Sequence, residues 1–276
     1  MGHNRWVEEI DVDELGIDCF RHLINQTDIH GKYCFDMLQS TLEVVHNQLY
    51  DLLGHHTKFS LKRYKMDIDF WPTLQNIQTL KMGGLHLKAT EIEDALSKYI
   101  TSIENFTWIT YDWRMELRED SRIYQIDTVY LWSHLGFLAS KMMKYFNGRQ
   151  VFVYEYNIET TDLIHFLNTW RTGEKFQNLE VIILVTVRNT FRIPEIRDSV
   201  EFKEIGTEVE CSSIRKFRKH VQHCAQLPIH LPTQLKSNLY MVRESDGHVA
   251  SVILMDSHIF MGVWNMKEKE FSEKFQ

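Results

Sequence analysis

Proline is scarce in this chain of 276 residues, with four in all and none before Pro72. Glycine is also sparse, at 12. No stretch has the composition of a flexible linker or a low-complexity tail. Cysteine is limited to Cys19, Cys34, Cys211 and Cys224, with no CxxC pair among them. A disulfide-stapled secreted scaffold is therefore not expected. The sequence predicts free thiols in a reducing compartment, hence an intracellular protein of cytoplasm or nucleus. The first six residues, Met1 to Trp6, hold no apolar stretch of the kind found in a cleaved leader. Trp6 stands where a myristoylation signal needs Ser or Thr. No run approaches the roughly 18 apolar residues that span a bilayer, so no membrane partner is expected.

Positive charge is in deficit. Lys and Arg number 31 against 38 Asp and Glu, giving a net charge of −7 and a pI near 6.1. Nucleic-acid binding by a broad basic face is disfavoured, because counterion release needs clustered cations. One local basic run, Arg215 to His220, reads as a solvated face or as a small acid-binding patch.

Motifs for nucleophilic or phosphate chemistry are missing too. There is no G-x-S-x-G elbow, no P-loop and no G-x-G-x-x-G. Asp112, Glu116, Glu119 and Asp120 share one polar stretch between 112 and 125, which reads as a solvated loop and not as a paired acid and base. The one metal-like grouping is Cys211, His220, His223 and Cys224. Two imidazoles and two thiolates suit zinc, but the spacing matches no common module. It supports only an alternative reading, a metal-dependent enzyme or zinc-binding protein. The expectation is no enzyme, no cofactor and no metal.

What the chain has in quantity is apolar and aromatic material: 43% hydrophobic residues, with seven Trp, sixteen Phe and eleven Tyr. Its arrangement is repetitive. From Ile77 to Val187, short apolar strands alternate with amphipathic helices, the strands beginning near Ile77, Asn105, Thr128, Gln150 and Leu179. Spacings of about 20–30 residues predict an α/β fold, a leucine-rich-repeat-like solenoid of strand–helix units. Such arrays present one long face and bind other macromolecules. Gly83-Gly84 reads as the break after the first strand, and Thr90 with Glu93 as a capping box. Thr160 or Thr161 reads as the cap of a helix carrying Leu163, Phe166, Leu167 and Trp170.

The expected organisation has four parts. Residues 1–56 form an N-terminal helical region, including an apolar-striped helix near 34–53 that ends at Gly54. Residues 57–187 form the repeat region, and 188–265 a C-terminal antiparallel β-meander. Residues 266–276 form a charged, frayed tail. The meander rests on Asp246-Gly247 between two alternating runs, the strongest short-range hairpin signal.

Two segments carry a family signature. One runs from Asp162-Leu163 through Phe166-Leu167 and Trp170, then Gly173, to Leu179-Glu180. The other joins Arg243 and Asp246-Gly247 to Ala250-Ser251-Val252 and ends in Phe260-Met261-Gly262-Val263-Trp264. In this order they resemble the type 2 F-box-associated domain of an expanded group of nematode F-box proteins. One extra residue separates Arg243 from Asp246 compared with the tightest form of the pattern. The resemblance covers 120–265 well and 57–120 loosely. It implies a substrate-recognition domain linked to a ubiquitin ligase adaptor, with a Skp-type adaptor as partner of the F-box. The family's F-box opens on Leu-Pro, whereas residues 1–50 here contain no proline and Asp11 to Leu15 is acidic. No recognisable F-box is expected. The predicted function is non-catalytic protein–protein interaction. The residues expected to face the partner are Lys81, Thr107, Tyr130, Trp132, Tyr154 and Tyr156, because Tyr and Trp bury large area at low rotamer cost.

Overall fold

A computed structural model describes residues 8–11, 31–54, 58–63, 71, 73–84, 89–99, 102–110, 117–133, 138–211, 214, 216–217 and 235–275. The chain is α/β with mixed strand pairing and divides into two compact units, Met1–Thr110 and Tyr111–Gln276. Residues 12–30 of the expected N-terminal helical region lie outside the described residues.

In the first unit, strands β1 (Glu8–Asp11), β2 (Phe59–Arg63), β3 (Ile77–Gly84) and β4 (Asn105–Thr110) pair in parallel in chain order. The N-terminal region is therefore not purely helical, because Glu8–Asp11 joins the sheet beside β2. Helix α1 (Gly31–Leu53) ends at Gly54, whose φ of 88° turns the chain while its N–H donates to the Tyr50 carbonyl. Its apolar stripe does not fully sink: Val45 and Leu52 are exposed, and His46 is buried. Helix α2 (Ala89–Tyr99) buries Ile92, Ala95, Leu96 and Tyr99, as its 3.6-residue periodicity requires. Thr90 lies inside this helix and does not precede it. Nor do Gly83 and Gly84 break β3; they pair with Ile109 and Thr110, since a parallel ladder needs only backbone groups.

The second unit holds β5 (Thr128–Ser133), α3 (Leu138–Tyr145), β6 (Gln150–Glu155), α4 (Thr160–Thr172), β7 (Val181–Thr186), α5 (Ile193–Ser199), β8 (Lys203–Glu210), β9 (Lys236–Val242), β10 (His248–Leu254), β11 (His258–Lys267) and α6 (Glu268–Phe275). Strands β5, β6 and β7 are parallel neighbours. The sheet then reverses, and β11, β10, β9 and β8 follow as an antiparallel meander. The seam pairs Ile182 with Met261 and Leu184 with Ile259. This ladder joins the last repeat strand to the meander, so the unit boundary falls after Thr110 and not near 187.

Both faces of this sheet are covered. On one side α3 and α4 bring Leu138, Met142, Leu163, Phe166, Leu167 and Trp170 into the interior. On the other, Tyr130, Phe152, Ile183, Phe260 and Trp264 pack with Ile214, Phe217, Leu235 and Phe271. Burial from two sides explains why all six residues of β7 are buried and apolar or hydroxyl-bearing. Phe271 belongs to α6, its ring 5.1 Å from Tyr240 and 5.5 Å from Trp264. The expected frayed tail is thus an amphipathic helix whose Phe271 anchors it. Part of the expected polar stretch is likewise a 3₁₀ turn, Arg122–Gln125, with Ile123 and Tyr124 buried. Strand β8 has little apolar periodicity to mark it in the sequence, because only Ile205 and Val209 of its eight residues are buried.

Candidate functional site

The two signature segments meet at Arg243, which is 3% exposed. Its guanidinium forks onto Asp246, with Nε donating to Oδ1 at 3.0 Å and Nη2 to Oδ2 at 2.7 Å. Nη1 reaches the carbonyls of Phe176 and Gln177, both at 3.3 Å. The same head group stands 5.3 Å from the centre of the Trp170 ring. Asp246 also accepts the His248 N–H at 3.0 Å. The Arg243 bonds, helped by that amide, hold the Asp246 carboxyl far below the ordinary carboxylate range.

Local geometry is set to allow this junction. Gly173 ends α4 at φ 80°, and a Cβ there would stand 2.0 Å from Ser245 Oγ. Phe176, a non-glycine residue, adopts φ 63°, which turns its carbonyl toward Arg243 while its ring packs 4.8 Å from Phe166. Left-handed backbone at a bulky residue costs of order 1 kcal/mol or more, and the buried guanidinium is the group that uses it. Glu180 ties off the neighbouring edge, accepting from Arg149 and from Gln150 Nε2 at 3.0 Å. Trp264 closes the hairpin end by donating to Ser251 Oγ at 2.8 Å. This constellation cross-links helix, loop and hairpin, and the Arg243 guanidinium donors in it are engaged by Asp246, Phe176 and Gln177.

Family profiles, curated proteins and solved structures give no match to this chain.

The residues expected to face a partner separate into two groups. Thr107 is buried, and Tyr130 is 2% exposed with its ring 5.5 Å from Phe217 in a near-parallel stack. Neither is open to a partner. For Tyr130 the reason is Ile214 and Phe217, which pack on that face of the second unit's sheet, the face that a repeat array would leave open. Lys81 is half-buried, on the same face of β3 as its ladder partner Thr107 on β4. Trp132, Tyr154 and Tyr156 remain partly exposed at the carboxyl ends of β5 and β6. Trp132 and Tyr154 are ladder partners with ring centres 4.8 Å apart, and Arg188 covers the Tyr156 ring at 4.7 Å. Burial raises the Tyr154 phenol above its usual pKa, keeping it a neutral donor. Arg188 and the exposed Val187 were not anticipated; their only sequence signal is position, just past the apolar run that forms β7.

Glu155, beside this group at the end of β6, is fully buried. Its two oxygens accept the Leu138 and Ala139 amides at 2.8 Å each. The carboxylate caps α3 from a neighbouring strand and complements the helix dipole. Thr160, expected as the cap of α4, has another task. Glu159 precedes that helix without a side-chain cap bond, while Thr160 Oγ1 accepts from the Arg192 amide.

Of the possible zinc ligands, Cys211 is described and buried; His220, His223 and Cys224 lie outside the described residues. A Cβ on Gly262 would stand 2.7 Å from Cys211 Sγ, so the thiol packs directly onto β11. Among the described residues, no helix is long and apolar enough to cross a membrane.

Proposed function

We propose that the chain is a non-catalytic protein-recognition domain of the type 2 F-box-associated kind, a leucine-rich-repeat-like array of strand–helix units ending in a β-meander. The observation that carries the family reading is the Arg243 junction. Residue types that the resemblance singled out in two distant segments meet around one guanidinium, which gives their spacing a physical purpose. Trp132, Tyr154, Tyr156 and Arg188 support the recognition reading. They form a group of partly exposed aromatics and an arginine, the residue types that dominate protein interfaces. Client proteins are the partner class, and linkage to a ubiquitin ligase would run through a Skp-type adaptor.

Affinity enrichment of the full chain followed by mass spectrometry tests both parts. The expected result is a client captured by the native protein and lost when Trp132 and Tyr156 are replaced by alanine, with unfolding midpoints unchanged. Capture that survives the double replacement places the contact elsewhere. Co-purification with a Skp-type adaptor, run beside a family member with an intact F-box, decides the ligase link.

A further inference from the structure

The chain contains one Asn-Gly and one Asp-Gly dipeptide, and the fold treats them in opposite ways. Both can cyclise when the backbone nitrogen of glycine attacks the preceding side-chain carbonyl. We propose that Asn147-Gly148 is a site of spontaneous deamidation in the folded protein, whereas Asp246-Gly247 is held closed to the same chemistry.

The contrast lies in the attacking nitrogen and in its target. Gly247 donates its N–H to the Arg243 carbonyl at 2.7 Å. Its electrophile, the Asp246 carboxylate, is saturated by Arg243 and by the His248 amide. At Asn147, the residue's own N–H is bonded to the Tyr124 carbonyl at 2.8 Å, but the Gly148 N–H donates to none of the described residues. Asn147 is exposed, and its carboxamide makes one long bond, Nδ2 to Gln125 Oε1 at 3.3 Å. It lies two residues past the end of α3, beyond the helical hydrogen-bond ladder.

The fold also makes the glycine of this pair obligatory. A Cβ on residue 148 would stand 2.0 Å from the Ile126 carbonyl oxygen and 2.6 Å from the Phe146 ring. Glycine is the only residue that fits there, and it hinders attack on its neighbour least.

In the reaction the Gly148 nitrogen bonds to Asn147 Cγ and loses its proton. The Cγ–Nδ2 bond breaks, and ammonia leaves. Water then opens the succinimide to Asp or to isoaspartate. The product places a carboxylate in the wall of a cavity of about 320 Å³ that Lys144 and Lys175 also line. The site is thus a slow, irreversible switch in the charge of that wall.

The test is incubation of the full chain in mildly alkaline buffer, folded and in urea, followed by tryptic digestion and mass spectrometry. The Tyr145–Arg149 peptide from folded protein is expected to gain the amide-to-acid mass difference and to split into two isomers, at a rate close to that in urea. The Glu244–Lys267 peptide is expected to form isoaspartate in urea only. Asn147→Gln should abolish the acidic species seen on ion exchange. A folded Tyr145–Arg149 peptide that keeps its mass while the urea sample gains it overturns the proposal, as does isoaspartate at Asp246 in the folded protein.

Discussion

Arg243 shows how much one residue can organise. It is a buried cation with a carboxylate, two carbonyls and an indole around it, and the desolvation of such a group is tolerable only while its partners stay. Asp246→Asn leaves the guanidinium short of charge. The expected cost is about 2 kcal/mol, below the roughly 3–5 of a fully enclosed pair because Asp246 is partly exposed; urea unfolding measures it. Arg243→Lys should not rescue the junction, since an ammonium cannot make the fork and both carbonyl contacts at once. Two histidines contribute to the pH response near neutrality. Burial lowers the pKa of His46, outweighing the opposing effect of the Gln75 carbonyl; burial also lowers that of His258. Both are therefore harder to protonate folded than unfolded. Stability should be flat above the unfolded value of about 6.5 and fall as acid drops below it, because the unfolded chain takes up protons first. Thermal midpoints measured across that range check this, and His258→Phe should flatten the unit 2 part of the slope.

At the scale of elements, two features carry the local architecture. Gly173→Ala would set a Cβ into Ser245 at a φ only glycine adopts freely, and is expected to cost at least about 1 kcal/mol, read from a shifted urea midpoint. Glu155→Gln keeps the shape of the α3 cap but removes its charge, with an expected loss of about 1–2 kcal/mol in the same assay. Strands and helices with strong periodicity were legible in the sequence. The stripe Ile92, Ala95, Leu96 and Tyr99, the fully buried β7, the αL stop at Gly173 and the Asp246-Gly247 turn all sit where local chemistry puts them. Elements whose cue is tertiary were not. Strand β8 shows two buried residues in eight, and α6 looks like a charged tail until Phe271 finds Tyr240 and Trp264. The Thr160 cap failed because another chain segment, at Arg192, competed for its hydroxyl.

For the whole molecule, the exposed edge matters most. β8 ends the antiparallel side of the second unit's sheet, and such an edge invites pairing with other chains. Here it is guarded. Its register slips between Glu204 and Val209, where the four residues 205–208 of β8 stand against Asn238 of β9, and it presents Glu204 and Glu208 to solvent. Replacing both glutamates with valine should leave the fold intact but raise light scattering on storage, since charge and bulge together block edge pairing. In the second unit, the sheet face that a bare repeat array would offer is filled by Phe217 and α6, while Trp132, Tyr154 and Tyr156 stay partly exposed at the strand ends. Sequence alone determined the alternation of strands and helices, the hairpin and the net negative charge, because these depend on neighbours within a few residues or on totals. Tertiary structure alone decided which aromatics are buried, which polar groups cap a distant helix, and where parallel pairing gives way to antiparallel. Those outcomes depend on which surfaces meet, and spacing along a chain does not encode which side of a strand another segment will cover.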